Sequence, residues 1–249
     1  MELENNIKRI VAFDFDDTLA ETNSMIGVRF NTEGAAFEEF LFDNNIQFVE
    51  FASDFWWLDS ANYALLEDVE LPPGESIEAD YAQTMRIDMS TLKVIQPMLN
   101  KMSEALKDPD TLTLVVTARA GNAITFSPSL GKNVKSSNRE QIMLFLQGNG
   151  LAIPESNLHT VGGKEADTSI AKARVLENYL KKYKPEELVF YDDSDRNVRT
   201  VAKLCKGTSP HVKISAYKVA NGRPVDRQGC DHKKGIKDRL REILSSILE

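Results

Sequence analysis

Three apolar, β-rich runs end on residues that carry chemistry. Ile10-Val11-Ala12-Phe13 runs straight into Asp14, Leu112 to Val116 ends at Thr117, and Leu188-Val189-Phe190-Tyr191 ends at Asp192-Asp193. Leu158 to Val161 is a weaker run of the same kind, and Val212 to Val219 alternates apolar and polar residues, the pattern of an edge strand. Helical spacing separates the runs, over Arg139–Leu146, stopped by Gly148-Asn149-Gly150, and over Ser169–Tyr183, followed by Pro185. Nearly continuous apolar strands with amphipathic helices between them predict an α/β fold, a Rossmann-like parallel sheet with helices on both faces. Ligands of such sheets bind beyond the carboxyl ends of the strands, where Asp14, Thr117 and Asp192-Asp193 fall.

The stretch from Asp14 to Thr117 is longer than one crossover, which needs on the order of 30 residues. Its surplus is acidic and aromatic, from Phe37 through Trp56-Trp57 to Tyr63, and Ile95–Leu106 has the spacing of the helix that returns to the sheet. Residues 21–90 are therefore expected to form an inserted cap, with 1–20 and 91–249 as the core. Gly235–Glu249 carries Ile236, Leu240, Ile243, Leu244, Ile247 and Leu248 on one helical face, which predicts an amphipathic C-terminal helix that docks on the core or seams a dimer.

Charge is unevenly distributed. Residues 1–110 carry 7 Lys/Arg against 23 Asp/Glu, and residues 196–249 carry 13 against 5. The acidic front half argues against tracking along a nucleic acid backbone, although the basic tail leaves a phosphate-rich partner open. No apolar run approaches the roughly 20 residues of a membrane span, and the acidic start has no signal-peptide pattern. Two cysteines, Cys205 and Cys230, make no disulfide framework, so a reducing, cytoplasmic setting is expected. With His211 and His232 they lack zinc-finger spacing, Gly162-Gly163-Lys164 lacks the rest of a P-loop, and Trp56-Trp57 reads as core before it reads as a stacking platform.

An aspartate at the end of a buried strand is costly unless it is paired or metal-bound. Alternation would put Asp14 and Asp16 on one side if the extended backbone persisted past Phe13. Carboxylates gathered from two strand ends repel unless a cation lies between them or one holds a proton. A hard dication with oxygen ligands, most often Mg²⁺, meets that need.

These residues resemble the haloacid dehalogenase (HAD) superfamily of phosphohydrolases. Its D-x-D-x-T motif is matched by Asp14, Asp16 and Thr18, its second-motif Ser/Thr by Thr117, its Lys by Lys172, and its acidic pair by Asp192 and Asp193. More narrowly, DFDDTL, TAR and FYDDSDRNV resemble HAD-like proteins of tailed bacteriophages, which would place the protein in a host cytoplasm. The resemblance implies an Mg²⁺-dependent phosphatase with Asp14 as nucleophile and Asp16 as general acid and base. It assigns Thr117 and Lys172 to the transferring phosphoryl group, and Thr18 and Arg119 to substrate binding. Metal ligands would be Asp14, the backbone carbonyl of Asp16, and Asp193, helped by Asp192 through water. Lys164 is the alternative to Lys172, and Arg119 either reaches a substrate phosphate or pairs with an acidic residue of the insertion. A nucleotide or sugar phosphate is the expected substrate class. A polynucleotide end phosphatase and a silent binding protein on the same fold are the competing readings.

Overall fold

The computed structural model describes residues 7–31, 36–67, 69–162, 167–206 and 211–230. The C-terminal stretch 235–249 and Lys164 lie outside the described residues, as do the readings that depended on them.

The chain begins with β1 (Arg9–Phe13) and passes through the two-residue β2 (Ala20–Glu21). A long excursion follows, made of β3 (Ile26–Phe30), α1 (Ala36–Asp43), β4 (Glu50–Ala52), β5 (Phe55–Leu58), α2 (Ser60–Glu67) and β6 (Ile77–Asp80). β7 (Lys93–Val94) pairs antiparallel with β2, so the excursion leaves and returns through one short ribbon. α3 (Gln96–Lys107) and β8 (Thr111–Thr117) come next, then a hairpin of β9 (Ile124–Ser127) and β10 (Lys132–Lys135), then α4 (Asn138–Gly148). The chain continues through β11 (Leu158–Thr160), α5 (Thr168–Tyr183), β12 (Glu187–Asp192), α6 (Asp195–Ala202), β13 (Lys213–Ala220) and β14 (Arg223–Cys230).

The central sheet has the order β11-β8-β1-β12-β13-β14. Its first five strands are parallel and β14 is antiparallel. Both faces of β1 are buried because its residues alternate between two cores. Val11 and Phe13 pack with Met98, Leu99 and Met102 of α3 and Ile142, Phe145 and Leu146 of α4. Ile10 and Ala12 pack with Leu176 and Leu180 of α5 and Val198 and Val201 of α6. Two-sided burial is what makes these strands read as unbroken apolar runs.

β13 is not the edge strand that its alternation suggested. β14 lies outside it, across a turn at Asn221-Gly222 where both residues have positive φ, 50° and 68°. Asn-Gly is the preferred pair for such a hairpin turn, but β14 itself, RPVDRQGC, has too little apolar content to show as a strand. Cys230 is disulfide-bonded. Among the described residues no helix is long and apolar enough to cross a membrane.

The excursion builds a second, antiparallel sheet, β4-β5-β3-β6, with its own core of Val28, Phe30, Phe37, Leu41, Ile46, Leu58 and Leu66. The two tryptophans are packing residues. Trp56 meets Phe37 and Phe51, while Trp57 lies over Gly27, where an added Cβ would come within 3.1 Å of its ring. The long polar stretch after β8 folds as the β9–β10 hairpin, whose Ser127 hydroxyl and Ser129 amide donate to buried Asp80 at the end of β6.

Gly162, just past β11, lets the chain run beneath the loop that follows Thr117. A Cβ there would lie 2.1 Å from the Ala118 carbonyl oxygen and 2.7 Å from the Ala120 nitrogen, both backbone atoms that cannot rotate away. Gly162→Ala is expected to lower stability by about 1–3 kcal/mol in urea unfolding, the usual range for overpacking. An unchanged midpoint would show that this loop yields freely.

Candidate active site

Parallel pairing sets strand ends side by side. Phe13 pairs with Tyr191 on one side and Val115 on the other, so Asp14, Asp192 and Thr117 emerge at the same edge of the sheet. The Asp14 amide still donates to the Tyr191 carbonyl (2.9 Å), which carries the sheet bonding one residue beyond β1. Asp14, Asp192 and Asp193 bring carboxylate oxygens within 4.8 Å of one another.

Lys172, from the N-terminal half of α5, closes this cluster. Its side chain is wholly buried, with Nζ 2.8 Å from Asp192 Oδ2 and 2.9 Å from Asp14 Oδ1. Both contacts are close ion pairs; the Asp192 contact is a well-aligned hydrogen bond, and at Asp14 Oδ1 the ammonium lies off the ideal line. Asp192 is otherwise fully engaged, since its Oδ1 accepts from the Ser194 amide (2.9 Å) and from Asn197 Nδ2 (2.8 Å). Asn197 thus orients Asp192 rather than Asp193. Asp193 has no hydrogen-bond donor among the described residues.

Three carboxylates therefore face one ammonium. Burial pushes the Asp14 carboxyl up to about 8; Lys172 pulls it down, and Asp192 and Asp16 push it further up. Asp193 is raised for the same reasons, burial first and then Asp192 and Asp14. Burial works to lower the Lys172 pKa, but the combined attraction of Asp14 and Asp192 leaves it above the ordinary lysine value. Three carboxylates in negative excess, with oxygen atoms within 4.8 Å of one another, fit a hard divalent cation.

The extended backbone does not persist past Phe13. The amides of Leu19 and Ala20 return to the Phe15 carbonyl, and Asp17 takes a left-handed φ of 53°. This tight loop separates the carboxylates of the motif. The Asp16 side chain is not in the acidic cluster; it meets Arg119, with Nε 3.0 Å from each carboxylate oxygen and Nη2 2.7 Å from Oδ1. Arg119 Nη1 donates to the Thr84 carbonyl and Asn138 Oδ1, and Nη2 also reaches Thr22 and Ser24. Arg119 therefore sits within protein acceptors, at Asp16 and at both ends of the excursion. Asp17 accepts from Ser60 of α2, and burial raises its pKa.

The other expected residues are close by. Thr117 is buried; its Oγ1 accepts from the Arg119 amide (3.2 Å), and its own proton has no acceptor among the described residues. Thr18 is buried, and its hydroxyl has no partner among the described residues. Sequence reasoning missed Thr22, Ser24, Thr84 and Asn138, single polar residues with no spacing signal, and it did not link Arg119 to Asp16.

The pH dependence of the metal-free protein follows from the direction of the shifts. Asp14 titrates far above its unfolded value of about 4, so its contribution is complete below pH 4 and is lost as pH rises towards 8. The chelated protein should have a lower melting temperature at pH 8 than at pH 5.5, and Mg²⁺ should raise it more at pH 8. A flat or rising profile would mean the carboxylates are not crowded as described. Lys172→Met, which leaves the acids without their cation, should cost about 3–5 kcal/mol at pH 8 and less at pH 5.5.

No family model matches this chain, and no curated protein matches it. Among solved structures it is similar to the HAD domain of the effector protein Lem4 from Legionella pneumophila, with a TM-score of 0.38 and 14% identity over 96% of this chain and 94% of that one. That likeness is too loose to speak for family or activity.

Proposed function

We propose that the protein is an Mg²⁺-dependent phosphomonoesterase of the HAD type, acting on a nucleotide or another small phosphorylated metabolite. The observation that carries this reading is the group of buried Asp14 and Asp192 with half-buried Asp193 about Lys172, at one edge of a parallel sheet that also carries Thr117. A merely structural ion pair needs one acid per base. This site holds a surplus of acids with no structural use, the condition a metal-assisted nucleophile requires.

In the first step an Asp14 carboxylate oxygen forms a bond to phosphorus while the bond from phosphorus to the ester oxygen breaks, and that oxygen takes a proton from the Asp16 carboxyl group. In the second step water attacks the phosphorus of the aspartyl-phosphate and gives its proton to Asp16. The bond from phosphorus to Asp14 breaks, and inorganic phosphate leaves. Asp14, Asp193 and the backbone carbonyl of Asp16, helped by Asp192, would hold Mg²⁺, which when bound would supply the positive charge that lets an anionic nucleophile approach an anionic phosphate. Thr117 donates its free hydroxyl proton to a phosphoryl oxygen, and Lys172 draws Asp14 towards its ionised form and aims it. Phosphoryl transfer asks for little beyond such positioning and charge. The second sheet serves as the cap over the site and touches it through Ser60 and Asp17.

Hydrolysis of p-nitrophenyl phosphate should require Mg²⁺ and should fall by a factor on the order of 10³ or more in Asp14→Asn, with no loss of melting temperature. Turnover by that variant would remove Asp14 as nucleophile. A panel of nucleotides, sugar phosphates and phosphorylated oligonucleotide ends then fixes the substrate class. Preference for the oligonucleotide ends, with steep salt sensitivity, would replace the small-molecule reading.

A further inference from the structure

We infer that Arg119 is the positioning residue for Asp16: it fixes the carboxyl group that exchanges the proton and leaves Oδ2 as the oxygen that does so. The inference rests on the phosphatase reading above and goes beyond it by assigning the guanidinium to the acid rather than to the substrate.

A guanidinium has five N–H donors. At Arg119 all five are directed at protein acceptors. Nε is shared between the two oxygens of Asp16, Nη2 serves Asp16 Oδ1, Thr22 and Ser24, and Nη1 serves the Thr84 carbonyl and Asn138. The arginine side chain is 4% exposed, so it cannot turn to a phosphate without abandoning buried partners. The two oxygens of Asp16 are treated unequally. Oδ1 accepts from Nε, from Nη2 at 2.7 Å and from the Thr22 hydroxyl at 2.6 Å, whereas among the described residues Oδ2 accepts only the shared Nε–H at 3.0 Å. Oδ1 is saturated, and Oδ2 keeps the lone pair that can carry a proton to the ester oxygen and later take one from water. Thr22 closes the arrangement, because its hydroxyl donates to Asp16 and accepts from Arg119. A two-point fork of this kind orients a carboxylate in a way that a lysine ammonium does not.

A positioned acid matters in proportion to how poorly the leaving oxygen departs without a proton. The experiment compares an alkyl phosphate with p-nitrophenyl phosphate through kcat/KM, which reports phosphoryl transfer and not the later attack by water. In Arg119→Lys and Arg119→Gln, kcat/KM for the alkyl ester should fall on the order of 10²-fold, and that for the aryl ester by no more than about threefold. Thr22→Val, which leaves the arginine in place, should show the same skew at smaller size, and it carries the test where the Arg119 variants fail to melt cooperatively. Equal losses on both esters, a rise in KM with kcat unchanged, or faster turnover in these variants would overturn the assignment while leaving the phosphatase reading intact. A wild-type protein that hydrolyses neither ester with Mg²⁺ would overturn both.

Discussion

The burial of the Lys172 ammonium between Asp14 and Asp192 is the interaction on which this structure turns. Its two ion-pair contacts are both under 3 Å, and they join α5 to the ends of two neighbouring strands. Removing such groups from water costs several kcal/mol each, which close contact repays only if the remaining lone pairs are satisfied. Asp192 meets that condition through Ser194 and Asn197, both at the start of α6. Asp14 does not, and the asymmetry is informative. One strand-end carboxylate, Asp192, is anchored by Lys172, Ser194 and Asn197, whereas among the described residues the other, Asp14, is held by the ammonium alone.

That asymmetry divides the acidic residues by role. Asp192 belongs to the scaffold: it fixes Lys172 and the first turn of α6. Asp193 is crowded by two carboxylates and has no donor among the described residues, and burial with those neighbours raises its pKa. Asp16 is turned away by the loop that follows β1 and meets a different cation, Arg119. Two carboxyl groups two residues apart are thereby held in separate electrostatic environments, one against a lysine inside an acidic cluster and one against an arginine. The proposed nucleophile and the proposed proton carrier are thus each paired with a different cation.

Much of this was legible in the sequence, and for a physical reason. Strands buried on both faces leave unbroken apolar runs, so β1, β8 and β12 and the polar residues at their ends stand out. Helices α3, α4 and α5 follow from apolar spacing, and the stops after α4 and α5 follow from glycine, asparagine and proline. The placement of β13 at the sheet edge failed because β14, an exposed strand containing proline and glycine, carries almost no apolar pattern; the Asn221-Gly222 turn was its one signal. The side of the motif loop on which Asp16 would fall also failed, because alternation applies only while the backbone stays extended and a left-handed residue at Asp17 ends it. The Arg119 partners were invisible because they are brought together by tertiary structure, from residues 16, 22, 24, 84 and 138, with no shared periodicity.

The excursion between β2 and β7 is bound to the site by more than its short ribbon. Asp80, buried at the end of β6, accepts from Ser127, from the Ser129 amide and from the Ala82 amide, and these bonds hold its pKa below the usual carboxylate range despite burial. An ionised carboxylate kept inside the protein by donors from the β9–β10 hairpin fixes that hairpin against the second sheet. The hairpin leaves the central sheet directly after Thr117 and Arg119, and Arg119 itself reaches Thr84 at the return of the excursion. The loop that carries Thr117 and Arg119 and the loop that carries Asp16 are therefore each tied to the second sheet through a buried charge. Any displacement of that sheet must strain Arg119 and Asp80 together, so its position and the geometry of Asp16 form a single mechanical unit.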